Sequence, residues 1–272
     1  MTVLVSAVDL RRELANAGAP VVLDVRWSLA QPDGSREFRQ GHIPGAAYVD
    51  LESELSAHGE PEDGRHPLPT REALQAAART WGVNNGYSVV VYDAGPSFAA
   101  ARAWWLLRHA GVADVRILDG GFEAWVEAGG PIQTGANVPE FGDVELSWGH
   151  LTTIDVDEAA TFSEAGTLVD ARAPERYRGE TEPIDPIAGH IPGAVNLPTA
   201  TNVGPNGAFL SEEELRARFA ELEGPIAVYC GSGVTAAHEI AAMAIAGKDA
   251  ALYPGSWSQW SNLELPVATG ER

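Results

Sequence analysis

The 272-residue chain has a single cysteine, Cys230. One thiol closes no internal disulfide and supplies no cysteine-based zinc or iron–sulfur ligand set within one chain. It agrees with a reducing compartment, and the expected location is the cytoplasm. Basic residues are also scarce, with 18 Lys and Arg against 38 Asp and Glu and a formal charge of −20. That balance argues against nucleic acid or an anionic membrane as a partner, because neutralising phosphates needs a basic patch. No apolar run reaches transmembrane length, and Met1-Thr-Val-Leu-Val-Ser-Ala-Val-Asp-Leu10 has neither the basic start nor the cleavage pattern of a secretory leader. Wholesale disorder is excluded by a hydrophobic content of 45%. The length suits one large or two medium domains. An anionic ligand would need arginines gathered locally against the global field.

The chain repeats itself. Gly41-His-Ile-Pro-Gly-Ala46 returns as Gly189-His-Ile-Pro-Gly-Ala194. Each copy follows an apolar run ending in acid and arginine, Val22-Leu-Asp-Val-Arg26 and Leu168-Val-Asp-Ala-Arg172. Each precedes another apolar run leading into a helical pattern, Ser88-Val-Val-Val-Tyr-Asp93 and Ile226-Ala-Val-Tyr-Cys230. Each half closes on a glycine turn and tryptophans, Leu118 to Trp125 and Leu252 to Trp260. Four landmarks in one order at this long period mean duplicated domains. Helical patterns are predicted over 8–17, 71–81, 97–110, 122–128, 156–164, 212–222 and 234–246. Their alternation with short apolar strands predicts an α/β fold, a mostly parallel sheet flanked by helices in each half. The expected domains are 1–132 and 149–272, joined by a linker at 133–148.

The halves differ chemically at one place. The second has Cys230 at the end of its strand, followed by Gly231-Ser232-Gly233 and an Ala-rich helix from Val234. The first has Asp93 there. Ligands of parallel sheets bind beyond the carboxyl ends of the strands. Backbone N–H groups and a helix dipole converge at such a point and favour an anion, which suits a nucleophilic thiolate. The plainer alternative is a buried cysteine acting as a small hydrophobe beside a tight glycine loop.

The two Gly-His-Ile-Pro-Gly-Ala segments, the Cys230 loop and the closing Gly255-Ser-Trp-Ser-Gln-Trp260 resemble the tandem-domain rhodanese sulfurtransferases over nearly the whole chain. The resemblance implies a cysteine persulfide, loaded from a small anionic sulfur donor and passed to cyanide or a thiol, including a thioredoxin-like protein. It implies no metal and no organic cofactor. It also implies a catalytically inactive first domain.

The loop Cys230-Gly-Ser-Gly-Val-Thr235 resembles the 3-mercaptopyruvate branch rather than the thiosulfate branch, whose loops carry basic residues. On that resemblance Asp33, His42 and Ser232 form a proton relay. The N–H groups of Gly231, Ser232, Gly233, Val234 and Thr235 hold the persulfide. Arg176 binds the donor's carboxylate or sulfonate. A second arginine of that branch is missing, since Asp185 stands about where it belongs, and Arg178 is the expected substitute.

Several residues admit a structural role. His42 can fix its turn, as His190 is expected to do. Ser232 can be a small loop residue. Trp257 and Trp260 are expected in the core, and Asp24, Asp170 and Arg172 in turn-fixing contacts. Two other classes remain. A cysteine phosphatase would need arginine six residues after the cysteine, where Ala236 stands. A non-catalytic interaction module would not need the cysteine loop.

Overall fold

The computed structural model describes residues 2–271 and shows two compact α/β units. Unit 1 comprises Met1–Ser56, Pro69–Leu151 and Val203–Phe209, and unit 2 comprises Ala57–Leu68, Thr152–Asn202 and Leu210–Arg272. The units are therefore not the two continuous stretches expected from the repeat. A short segment of each half, 57–68 and 203–209, packs within the unit of the other. The stretch 133–148 belongs to unit 1, where Asn85 N–H donates to Asp143 Oδ1 at 3.0 Å, Leu146 N–H donates to Gln75 Oε1 at 2.8 Å, and Val144 is buried.

Unit 1 contains β1 (Leu4–Val5), α1 (Ala7–Leu14), β2 (Val21–Asp24), α2 (Ser35–Gln40), β3 (Ala47–Tyr48), α3 (Leu51–Glu54), α4 (Arg71–Thr80), β4 (Val89–Tyr92), α5 (Phe98–His109), β5 (Val115–Leu118) and α6 (Gly121–Glu127). Its five strands lie in the order β1-β5-β4-β2-β3, all pairs parallel. β4 reads Val-Val-Val-Tyr and is buried throughout, as a central parallel strand requires. Val22 and Val90 turn to one face, with Leu10 of α1, Phe38 of α2 and Trp125 of α6. α5 packs on β4 and β5.

Unit 2 contains α7 (Val156–Thr161), β6 (Thr167–Asp170), α8 (Pro174–Tyr177), β7 (Val195–Asn196), α9 (Glu212–Arg218), β8 (Ile226–Tyr229), α10 (Val234–Ile245), β9 (Ala251–Leu252) and α11 (Ser256–Asn262). Its sheet has four parallel strands in the order β7-β6-β8-β9. Where unit 1 has β1, unit 2 has a lone parallel bridge between Thr153 and Leu252. Capping boxes start α7 at Asp155 and Glu158 and α9 at Ser211 and Glu214. Among the described residues no helix is long and apolar enough to cross a membrane.

The repeated motif has a physical reason. Arg26 grips Asp24 with Nε and Nη2 and donates from Nη2 to Gly41 O at 2.5 Å. Arg172 does the same with Asp170 and reaches Gly189 O at 2.6 Å. Ile43 N–H and Ile191 N–H each donate to a tyrosine hydroxyl, of Tyr92 and Tyr229, at 3.1 Å. These bonds pin the Gly-His-Ile-Pro-Gly turn to the carboxyl ends of the two central strands in each unit. A buried ion pair of this kind specifies geometry more than it adds stability.

Candidate active site

β8 is buried along its length and delivers Cys230, itself 2% exposed, to its carboxyl end. The chain then turns through Gly231, Ser232 and Gly233. Gly233 has φ 81° and caps α10, a left-handed conformation that costs glycine nothing. The turn brings Gly233 N–H to 3.1 Å from Cys230 Sγ, where it donates to the sulfur. Val234 and Thr235 open α10, so their N–H groups are among those a helix start leaves without an internal acceptor.

α11 holds the turn from behind. Trp257 N–H donates to Cys230 O at 3.0 Å and Ser258 N–H donates to Gly231 O at 2.9 Å. Ser256 Oγ accepts Cys230 N–H at 3.2 Å and donates to Tyr253 O at 2.9 Å. Ser256 sits at φ 53°, which costs a non-glycine residue on the order of 1–3 kcal/mol. That strain sets a hydroxyl directly beneath the cysteine backbone.

The segment 57–68 supplies the other wall. Ala57 N–H donates to Pro67 O at 3.0 Å and closes it into a loop. Gln259 of α11 donates from Nε2 to Glu62 O at 3.0 Å, and Arg65 N–H donates to Ser258 Oγ at 3.2 Å. The loop so placed carries two functional side chains. His66 Nδ1 lies 2.7 Å from Ser232 Oγ, and both residues are buried. Arg65 forms an ion pair from Nη1 to Asp185 Oδ1.

Arg176 enters from α8. It donates from Nε and Nη2 to Glu182 and from Nη2 to Asp185 Oδ2 at 3.2 Å. A methyl group on Gly231 would lie 3.1 Å from Arg65 Nη2 and 3.4 Å from Arg176 Nη1. Two guanidiniums thus stand over the residue that follows the cysteine. Burial pushes the Asp185 carboxyl up, with Arg65 and Arg176 pulling against it.

Unit 1 shows what replaces the thiol. Asp93 is buried at the end of β4, and its carboxylate accepts four backbone N–H groups, from Gly95, Ser97, Ala99 and Ala100, at 3.0 to 3.3 Å. The amides that could hold a sulfur anion there hold a resident carboxylate. Burial pushes this carboxyl up, and the four amides pull it back.

Comparison with known proteins agrees with this geometry. The rhodanese-like domain family matches residues 6–128 and 155–263. The chain belongs to the rhodanese family. It is 47% identical over 270 residues to a Mycobacterium tuberculosis protein provisionally named thiosulfate sulfurtransferase SseB, covering 96% of this chain and 94% of that one. It is 38% identical over 260 residues to the 3-mercaptopyruvate sulfurtransferase of Escherichia coli K12, covering 90% and 91%. The crystal structure of the 3-mercaptopyruvate sulfurtransferase SseA from Escherichia coli superposes with a TM-score of 0.84 at 34% identity, covering 94% of this chain and 99% of that one.

Against this rhodanese site, the residues expected from sequence divide. Cys230, Gly231, Ser232, Gly233, Val234, Thr235 and Arg176 gather around one turn in unit 2. His42 does not take the relay position. Its Nδ1–H donates to Phe38 O at 2.8 Å, its ring stacks on Phe38 at 3.8 Å, and its Nε2 is buried without a partner. His190 repeats every feature, with Tyr177 O at 2.7 Å and the Tyr177 ring at 3.7 Å. Both imidazoles tie their turns, and Ser232 pairs with His66 instead. Asp33 is exposed and accepts Ser35 N–H at 2.8 Å at the start of α2, and its hydrogen bonds with the Ser35 side chain and then its backbone lower its pKa. Arg178 is also displaced from its expected role, because it pairs with Glu180 at 2.7 Å on the surface of unit 2.

The missed residues are Arg65, His66 and Ser256. A signal for the first two existed. Gly64-Arg-His-Pro67 sets two basic-type residues between turn residues in a strongly acidic chain. It lies outside the repeated landmarks, where comparing the two halves gives it no counterpart.

Proposed function

We propose that this protein is a sulfurtransferase that takes sulfur from 3-mercaptopyruvate onto Cys230 and passes it to a thiol or to cyanide. The observation that carries the reading is the Ser232–His66 pair, two residues beyond the sulfur. The Cys230 thiolate attacks the donor's sulfur. An S–S bond forms, the carbon–sulfur bond breaks, and its electron pair passes to carbon as the enolate of pyruvate. That carbon needs a proton, and the balance closes when the donor's own S–H proton is moved there. Ser232 and His66 form a path for it. The products are pyruvate and a Cys230 persulfide anion, which the amides at the start of α10 stabilise as an oxyanion hole stabilises oxygen. In the second half, an acceptor thiolate attacks the outer sulfur and releases the Cys230 thiolate. No metal or organic cofactor enters either half.

A second donor, thiosulfate, is favoured by the name of the Mycobacterium tuberculosis relative. Its leaving group is sulfite, which needs no proton on carbon. The proton path therefore argues for mercaptopyruvate. A thioredoxin-like protein in the cytoplasm is a fitting thiol acceptor. The reading is tested by the mass of Cys230 after exposure to each donor, and loading from neither would end it.

A further inference from the structure

Arg65 and Arg176 share one carboxylate. Asp185 takes Arg65 Nη1 on one oxygen and Arg176 Nη2 on the other. Glu182 takes the remaining inner edge of Arg176, through Nε and Nη2. One nitrogen of each fork is left facing Gly231, namely Arg65 Nη2 and Arg176 Nη1. No hydrogen bond from either to a protein acceptor is present among the described residues. Arg65 Nε is buried and has no partner. Two guanidiniums thus share Asp185, and each keeps a nitrogen beside the cysteine turn. A carboxylate with two oxygens matches two such donors.

We propose that Arg65 is the second arm of a donor-carboxylate clamp, working with Arg176 at the mouth of the Cys230 turn. This rests on the proposed donor reading and deepens it. Arg172 also reaches Glu182, at 3.3 Å, and pairs with Asp170, so Arg65, Arg172 and Arg176 stand against Asp170, Glu182 and Asp185. The bound acids cancel most of the field, so the clamp recognises a monoanion by directed hydrogen bonds rather than by net charge. A neutral donor of the same shape loses those bonds. The same loop places His66 on Ser232, so binding the carboxylate and aligning the proton path are one structural event.

The test compares 3-mercaptopyruvate with mercaptoacetone, its neutral analogue with a methyl group in place of the carboxylate. Wild type, Arg65→Gln, Arg65→Lys and Arg178→Ala are mixed with each donor. The rate of Cys230 persulfide formation is read by intact mass. Arg65→Gln keeps most of the side-chain length and lowers the preference for mercaptopyruvate over mercaptoacetone by about 10- to 100-fold. Arg65→Lys regains part of the preference, and Arg178→Ala leaves it unchanged. Equal losses with both donors, or an unchanged ratio, overturn the clamp, because Arg65 then does no more than seat its loop. If wild type takes no sulfur from mercaptopyruvate, the donor reading itself fails, and the clamp fails with it.

Discussion

His66 Nδ1 and Ser232 Oγ share a hydrogen bond of 2.7 Å across a sequence separation of 166 residues. The serine is placed by the cysteine turn and the histidine by a loop from the first half of the chain. If this pair moves the proton to carbon, Ser232→Ala and His66→Asn slow turnover with mercaptopyruvate by ~10²–10⁴-fold. Turnover with thiosulfate falls far less. His42→Asn behaves in the opposite way, lowering thermal stability while sparing the rate. Steady-state kinetics with both donors, alongside melting curves, check the three variants. Equal losses with both donors would reduce Ser232 and His66 to a structural pair.

The Asp93 carboxylate accepts four backbone N–H groups in unit 1, two on each oxygen. Asp93→Asn turns an NH₂ group toward two of them. The expected cost is about 1–3 kcal/mol, because buried donors lose their acceptor. Calorimetry measures it. Below the new melting temperature sulfur transfer is retained, since the thiol belongs to the other unit. A variant as stable as wild type would contradict the account of why the first half carries no thiol.

The organisation of the fold was legible in the sequence because its landmarks are local. The apolar runs that end at Asp24, Asp93, Asp170 and Cys230, and the two Gly-His-Ile-Pro-Gly turns, are each written in a few consecutive residues, although the bonds that hold the turns come from farther away. The cysteine turn was legible for the same reason. Arg65 and His66 were not, because their position depends on which unit the loop 57–68 joins, and no local pattern encodes that. The partner of Ser232 does come from the first half of the chain, but from the loop 57–68 and not from the His42 motif. The stacking of His42 on Phe38 and its bond to Phe38 O show the motif's own need for a histidine. Asp185, standing about where a second arginine is expected, binds both guanidiniums that flank it. A residue type at one position does not reveal the charge brought to it from elsewhere.

Glu239 offers a pH-dependent test inside α10. It is fully buried, and burial pushes its pKa up to about 7, with Arg218 and the Asn202 and Thr199 side chains opposing. Asn202 Nδ2 donates to Oε2 at 2.5 Å, and Oε1 has no partner. The folded state holds this proton more tightly than the unfolded chain, whose ordinary value is 4.5. The stabilisation is therefore complete below about pH 4.5 and is lost as pH rises through about 7. Glu239→Gln mimics the protonated acid. It raises the melting temperature at pH 8 by roughly 5 °C and leaves it near wild type at pH 5. The same gain at both values would mean that Glu239 is ionised throughout, and no gain at either that it is protonated throughout.

The central claim is that Cys230 carries the transferred sulfur. The protein is incubated with 3-mercaptopyruvate without an acceptor, and its intact mass and peptide masses are read. The account predicts one added sulfur atom, located on Cys230, formed together with pyruvate and removed by a thiol or cyanide. Cys230→Ser, folded to the same melting temperature, takes up none. Sulfur transfer by that variant, or an unmodified Cys230 in a turning-over enzyme, would contradict it.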